Sequence, residues 1–230
     1  MNESMPAILG LGFVLGLKHA TQADHLAAVS TIVSERRGVS QSVMVGALWG
    51  AGHTASLLVA GFVVMGLGIV IPESVANVLE LAVALMIIFL GMRLLRVHIH
   101  AHTHDGKSHA HFHFQDERHA HSGHSGLIGW RPLFVGIVHG LAGSAALTLL
   151  VLSEVVRQGS AFLGFAYLLI FGLGSIGGML LMSVLISLPF SFGARFFQRA
   201  LVPLRVFTGT LSTGFGLFYA WRIVEKLARL

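Results

Sequence analysis

Residues 17–30, LKHATQADHLAAVS, interrupt a run of apolar and small residues that otherwise reads as a membrane-spanning helix. They hold Lys18, His19, Gln22, Asp24 and His25 where an ionisable side chain costs about 3 kcal/mol on insertion scales. Groups retained at such a cost usually mark an ion path, a proton relay or a ligand site.

The rest of the chain supports the membrane setting. Of 230 residues, 54% are hydrophobic and 11% charged, against about 25% charged in soluble domains. Six apolar blocks, at roughly 6–33, 41–71, 75–95, 132–153, 160–188 and 203–224, have the length a hydrocarbon core of about 30 Å demands of a helix. Continuous apolar runs of this length exclude the short alternating strands of a membrane barrel. The first block lacks a basic residue ahead of its apolar run, and its polar cluster breaks a signal-peptide pattern, so it is expected to stay in the mature protein. With no cysteine, disulfides, thiolate ligands and thiol relays are excluded.

The basic residues read as topology, not as a nucleic-acid surface. Arg36 and Arg37 lie in the first connection, Arg93, Arg96, Lys107, Arg118 and Arg131 around the third, and Arg195, Arg199 and Arg205 around the fifth. The second has none and the fourth only Arg157. The positive-inside rule then places odd connections in the cytoplasm and both termini outside, although basic Arg222, Lys226 and Arg229 near the C-terminus oppose this.

The two halves resemble each other. GLKHA at 16–20 pairs with GIVHG at 136–140, and WGAGHT at 49–54 with FGLGSI at 171–176, at spacings of 120 and 122 residues. Three helices per half is an odd number, so the copies run through the membrane in opposite senses. The expected fold is an all-α polytopic membrane protein of six transmembrane helices in two inverted three-helix repeats. They span 1–95 and 132–230, joined by a histidine-rich connection at 96–131.

Two imidazoles and a carboxylate within seven residues offer the donors that suit nickel, cobalt or zinc. On a regular helix, at about 100° per residue, His25 lies about 120° around from His19, and Asp24 about 140° on the other side. One ion cannot reach both His19 and Asp24 across a straight helix. The segment is therefore expected to unwind near 20–24, the alternative being Asp24 orienting a histidine from behind. His53, flanked by Gly50, Gly52, Thr54 and Ser56, can approach closely enough to supply a third imidazole. HGLAGS at 139–144 repeats the recipe, with His139 and, at the place of Asp24, Ser144. A lone buried histidine is most often satisfied by a neighbour, and that plain reading weighs on His139. Glu80 reads as an interfacial carboxylate, and Trp49, Trp130 and Trp221 as interface anchors.

HATQADH resembles the signature helix of the nickel/cobalt transporters, in which a histidine is followed after four residues by aspartate and histidine. GHT at 52–54 is similar to their second signature, and HGLAGSAAL resembles the shorter, urease-accessory-like branch of that superfamily. The resemblance implies transport of divalent nickel or cobalt as substrate, with zinc also fitting the donors. It implies His19, Asp24, His25 and His53 at the site; Gln22, where the family has a further aspartate, and, from the internal repeat, His139 and Ser144 are further metal or pathway candidates. A metallochaperone or a urease or hydrogenase maturation system is the partner it implies. No chemical reaction is expected, and no phosphate-binding glycine loop with its lysine is present. Three other readings compete: a haem protein using pairs among His19, His53 and His139, a zinc hydrolase lacking HExxH, and an exporter of small solutes with histidine proton relays.

Ten of the fourteen histidines, His98, His100, His102, His104, His109, His111, His113, His119, His121 and His124, lie in the third connection. The alternation in HAHFHF suits a strand, but polar content, Gly106 and Gly123 favour a flexible loop that captures metal as an accessory. Imidazoles titrate near pH 6.5, so loading of this tract should weaken below that pH. Deleting 98–124 should leave metal flux measurable, and complete loss of flux in a stable, inserted deletion protein would refute the accessory role.

Overall fold

The computed structural model describes residues 4–36, 38–67, 71–104, 107–114, 129–142, 161–196 and 198–229. Its helices are α1 (Ser4–His19), α2 (Ala23–Ser34), α3 (Val39–Leu67), α4 (Glu73–Leu95), α5 (Arg131–Ala142), α6 (Ala161–Phe196) and α7 (Gln198–Leu227). Among them α3, α4, α6 and α7 are long and apolar enough to cross a bilayer. Large apolar side chains such as Phe62, Leu67, Phe89, Phe162 and Leu211 lie exposed around the bundle, the clothing a lipid-facing surface requires. This is a multi-pass membrane protein.

The first span is broken inside the 20–24 segment expected to unwind. Helix α1 ends at His19 and α2 begins at Ala23. No proline causes the break. The Lys18 carbonyl accepts from both the Thr21 hydroxyl, at 2.7 Å, and the Thr21 backbone N–H, at 3.0 Å, closing a tight last turn. Gln22 is extended, with φ −65° and ψ 150°, and its carbonyl accepts the first bond of α2 from Leu26, at 2.9 Å. Lys18 and His19 at the end of α1, and Asp24 in the first turn of α2, have the signs that helix dipoles favour there.

Glycines set the crossings that hold the broken span in place. Helix α3 lies antiparallel to α6: Gly46 meets Met179 and Ser183, Thr54 Oγ1 donates to the Gly172 carbonyl at 3.1 Å, and Gly61 meets Leu168. Helix α1 lies on α6, and α5 on α3. A Cβ at Gly16 would fall on the Phe171 carbonyl and 2.8 Å from the Ser175 nitrogen, while one at Gly136 would fall on the Trp49 carbonyl and 2.9 Å from the His53 nitrogen. Likewise a Cβ at Gly174 would lie 3.2 Å from the Leu17 nitrogen, and one at Gly52 lies 3.2 Å from the Ile137 nitrogen. Each contact becomes its counterpart when positions are exchanged by the 120- and 122-residue spacings of the sequence motifs.

Helix α2 fills the space beside α4, α6 and α7. Ser212 Oγ of α7 donates to the Ala27 carbonyl at 3.1 Å, and Arg205 Nε to the Ser34 carbonyl at 3.1 Å, so α2 and α7 run antiparallel. Arg93 Nη2 meets Glu35 Oε2 at 3.1 Å.

The third connection is corrected. Val97–His104 and Lys107–Phe114 form an antiparallel ribbon, β1 and β2, with His98 opposite His113, His100 opposite His111 and His102 opposite His109. The period-two alternation of the sequence decides the strands; Gly106 and Gly123 lie outside the described residues. His119, His121 and His124 lie outside the described residues.

Alanine in a helix interior normally gains about 1 kcal/mol over glycine, whereas overpacking against fixed backbone costs about 1–3 kcal/mol. Gly136→Ala should therefore lower the thermal midpoint in detergent. Gly10→Ala, where a Cβ meets nothing within 4 Å, should not lower it.

Candidate metal centre

The break turns the two ends of the first span toward each other. His19 closes α1, and His25 stands in the first turn of α2, with ring centroids 4.6 Å apart. His53, on α3, lies 5.1 Å from His19 and 5.4 Å from His25. His139, on α5, lies 4.8 Å from His25. Glycine packing of α5 on α3 and of α1 on α6 lets backbones carrying these rings come so close.

Two donor groups result, and His25 belongs to both. His19, His25 and His53 present one ligand atom each within 4.8 Å of one another, as do Asp24, His25 and His139. Ligands at about 2.1 Å from one metal stand at most about 4.2 Å apart. Three ligands sharing one ion in a trigonal or tetrahedral set stand about 3.4–3.6 Å apart, so a triad must close by up to about 1 Å at its widest pair to hold an ion. His25, His53 and His139 are buried, whereas His19 is half-buried and the Asp24 side chain keeps 22% of its surface exposed, so these two form the accessible edges of the two donor groups.

Nitrogens His19 Nε2, His25 Nε2, His53 Nδ1 and Nε2, and His139 Nε2 are all buried and, among the described residues, without a hydrogen-bond partner. An unmade bond of this kind costs about 1–3 kcal/mol each. His139 Nδ1 lies 3.1 Å from the Val135 carbonyl. A carbonyl only accepts, so Nδ1 carries the proton and, in the neutral ring, Nε2 presents a lone pair. That lone pair faces Asp24 Oδ2 at 4.0 Å, and Asp24 Oδ1 stands 3.2 Å from His25 Nδ1. Two acceptors facing across 4.0 Å repel each other unless a cation bridges them, and a divalent metal at about 2.1 Å from each fits that gap.

The site residues expected from sequence thus divide in three. His19, Asp24, His25, His53 and His139 come together. Gln22 is exposed at the cap of α2 and joins neither donor group. Ser144 lies outside the described residues. Trp49 is corrected from interface anchor to wall of the cluster: it is buried, stacks on His25 at 5.5 Å and 17°, and meets His139 edge-on at 5.4 Å. Its spacing of four from His53, one turn along the same helix face, was the available signal. Trp130 and Trp221 are exposed, consistent with anchors.

Nickel or cobalt bound beside His25 should quench the buried Trp49 emission and spare that of Trp130 and Trp221. Fluorescence titration of wild type against Trp49→Phe checks this, and quenching that persists in the variant would contradict it.

A model of the cytochrome C biogenesis protein transmembrane region matches residues 12–217. The urease accessory protein UreH of Bacillus sp. (strain TB-90) is 36% identical over 231 residues, covering 97% of this chain and 96% of that protein. No solved structure matches. Lacking cysteine, the chain carries no thiol chemistry on this scaffold; by the extent of both matches it belongs to the cytochrome c biogenesis transmembrane-region family, as a homologue of urease accessory protein UreH.

Proposed function

We propose that the protein is a secondary transporter of a divalent transition metal, nickel or cobalt foremost, in the urease-accessory-like branch of the nickel/cobalt transporters. The observation that carries this is the gathering of partnerless imidazole nitrogens and Asp24 into two donor groups that share His25 inside a lipid-embedded bundle. Imidazole favours nickel, cobalt and zinc over magnesium and calcium, which prefer oxygen. The name of the UreH relative supports delivery to urease maturation, for which nickel is the metal.

Two inverted repeats give this carrier its mechanism. The exchanged contacts of Gly16 with Gly136 and of Gly52 with Gly174, and the antiparallel course of α3 and α6, support them. In this reading one half rocks against the other around the donor cluster at their seam. The metal travels from Asp24, an accessible edge, to the His25-centred triads. Arg36, Arg93 and Arg131 line one small cavity, and Arg205 reaches the same end of α2, so basic residues of connections one, three and five gather at one end of the bundle. By the positive-inside rule that end faces the cytoplasm, with the termini and the far end of α4 outside. The histidine-rich ribbon then lies inside as an accessory capture site.

The test is flux into proteoliposomes holding a nickel-sensitive dye, with elemental analysis of the purified protein. His25→Ala removes the residue both triads share. It should lower metal content and flux by more than the about 10–100-fold that losing an outer partner costs. Wild-type metal content and flux in a folded His25→Ala protein would overturn the assignment.

A further inference from the structure

Beyond the donor cluster, α4 and α7 carry a polar stripe that the centre does not use. On α4 the inward face runs Asn77, Glu80, Ala84, Ile87, Gly91 and Leu94, at helical spacing, and all but Glu80 are buried. Asn77 is wholly buried, and neither its amide nitrogen nor its carbonyl oxygen has a hydrogen-bond partner. On α7 the facing stripe runs Thr208, Ser212, Gly216, Tyr219 and Ile223. Gly216 abuts the Ala84 carbonyl and Ile88, so one turn further out Tyr219 stands beside Glu80, with its hydroxyl near that carboxylate.

The stripe leads to Asp24. Arg205 meets Ser34 and Ser212 meets Ala27, seven residues further along each chain, so the same register sets Asp24 level with Phe215. Tyr219 stacks on Phe215 at 5.9 Å and 23°, one turn, or about 6 Å, further from the arginine end. It lies within the electrostatic field of both Glu80 and Asp24. At the outer mouth of the same seam Glu73 is already paired, with Lys226 Nζ at 2.9 Å. Glu80 is the next carboxylate inside the mouth; the Lys226 ammonium acts on it from a distance, but among the described residues it makes no ion pair of its own.

Resting on the transporter reading, we propose that Glu80, with Asn77 and Tyr219, forms an outer vestibule that holds a hydrated divalent cation before Asp24 receives it. Its donors are all oxygen, so it selects charge and leaves the choice of metal to the imidazoles. Magnesium should accordingly compete at the vestibule but not at the histidine cluster.

The experiment measures nickel flux in proteoliposomes with and without millimolar magnesium on the side away from the arginine end. In wild type, magnesium should raise the apparent KM for nickel. Glu80→Gln should raise that KM about tenfold, as loss of a focusing charge implies, abolish the magnesium effect, and leave flux at saturating nickel and bound metal unchanged. A folded Glu80→Gln protein with wild-type KM and magnesium sensitivity would overturn the vestibule. Absence of nickel flux in wild type would instead overturn the transporter reading. Should Glu80→Gln fail to insert, Tyr219→Phe, which keeps the ring and removes only the hydroxyl, should show a smaller KM rise and weakened magnesium competition, and wild-type values for both would equally overturn the vestibule.

Discussion

A buried imidazole must hydrogen-bond, bind a cation or forfeit stability, and this fold gathers four of them where lipid offers no water. At about 1–3 kcal/mol for each unmade bond, five partnerless nitrogens are a burden comparable to the whole stability of a domain, about 5–15 kcal/mol. Packing does not require it: Trp49, Val45 and Leu57 fill the turns of α3 on either side of His53 without polar groups in need of partners beyond the indole nitrogen. The arrangement makes sense as a site whose partner is mobile. A carrier must hold its substrate well enough to strip part of its water, yet not so well that release fails.

The break between His19 and Ala23 follows from the same constraint. A continuous helix would spread His19, Asp24 and His25 around its circumference. Breaking it aims the carboxyl end of α1 and the amino end of α2 at one point, so the last carbonyls of one helix and Asp24 on the other both favour a cation there. The second half offers a leaner version: His139 answers His19, but Ser175 stands where His53 stands in the first half, buried and without a partner. The donors therefore crowd to one side of the seam.

Much of this was legible in the chain. The helical wheel placed His19 and Asp24 on conflicting faces, which demanded unwinding, and glycines around His53 announced a close approach. The spacings of 120 and 122 residues return as paired glycine contacts. What stayed hidden depended on three-dimensional register. Trp49 and Glu80 are amphipathic residues that a bilayer interface also welcomes, and only the crossings of α3 with α5 and α4 with α7 turn them inward. His139 alone could be an ordinary buried histidine until its Nδ1 bond to Val135 fixes which nitrogen faces Asp24. The ribbon was masked by polar composition, which argued for a loop more loudly than its alternation argued for strands.

The two ends of the bundle differ in a way that fits one half of a transport cycle. At the arginine end the Glu35–Arg93 pair ties α2 to α4, Arg205 ties α7 to the end of α2, and the cavity between Glu35, Arg36, Arg93 and Arg131 measures about 30 Å³, room for little more than a water. Three guanidiniums against one carboxylate there repel a divalent cation arriving from either direction. At the other end carboxylates succeed one another toward Asp24, whose side chain alone among the close donors of its triad keeps appreciable exposure. Passage of a cation toward the arginine end therefore requires α2 to part from α4 and α7. Because α2 also carries Asp24 and His25, any motion that opened that end in the proposed transport cycle would reshape the donor cluster, coupling access to affinity through one segment.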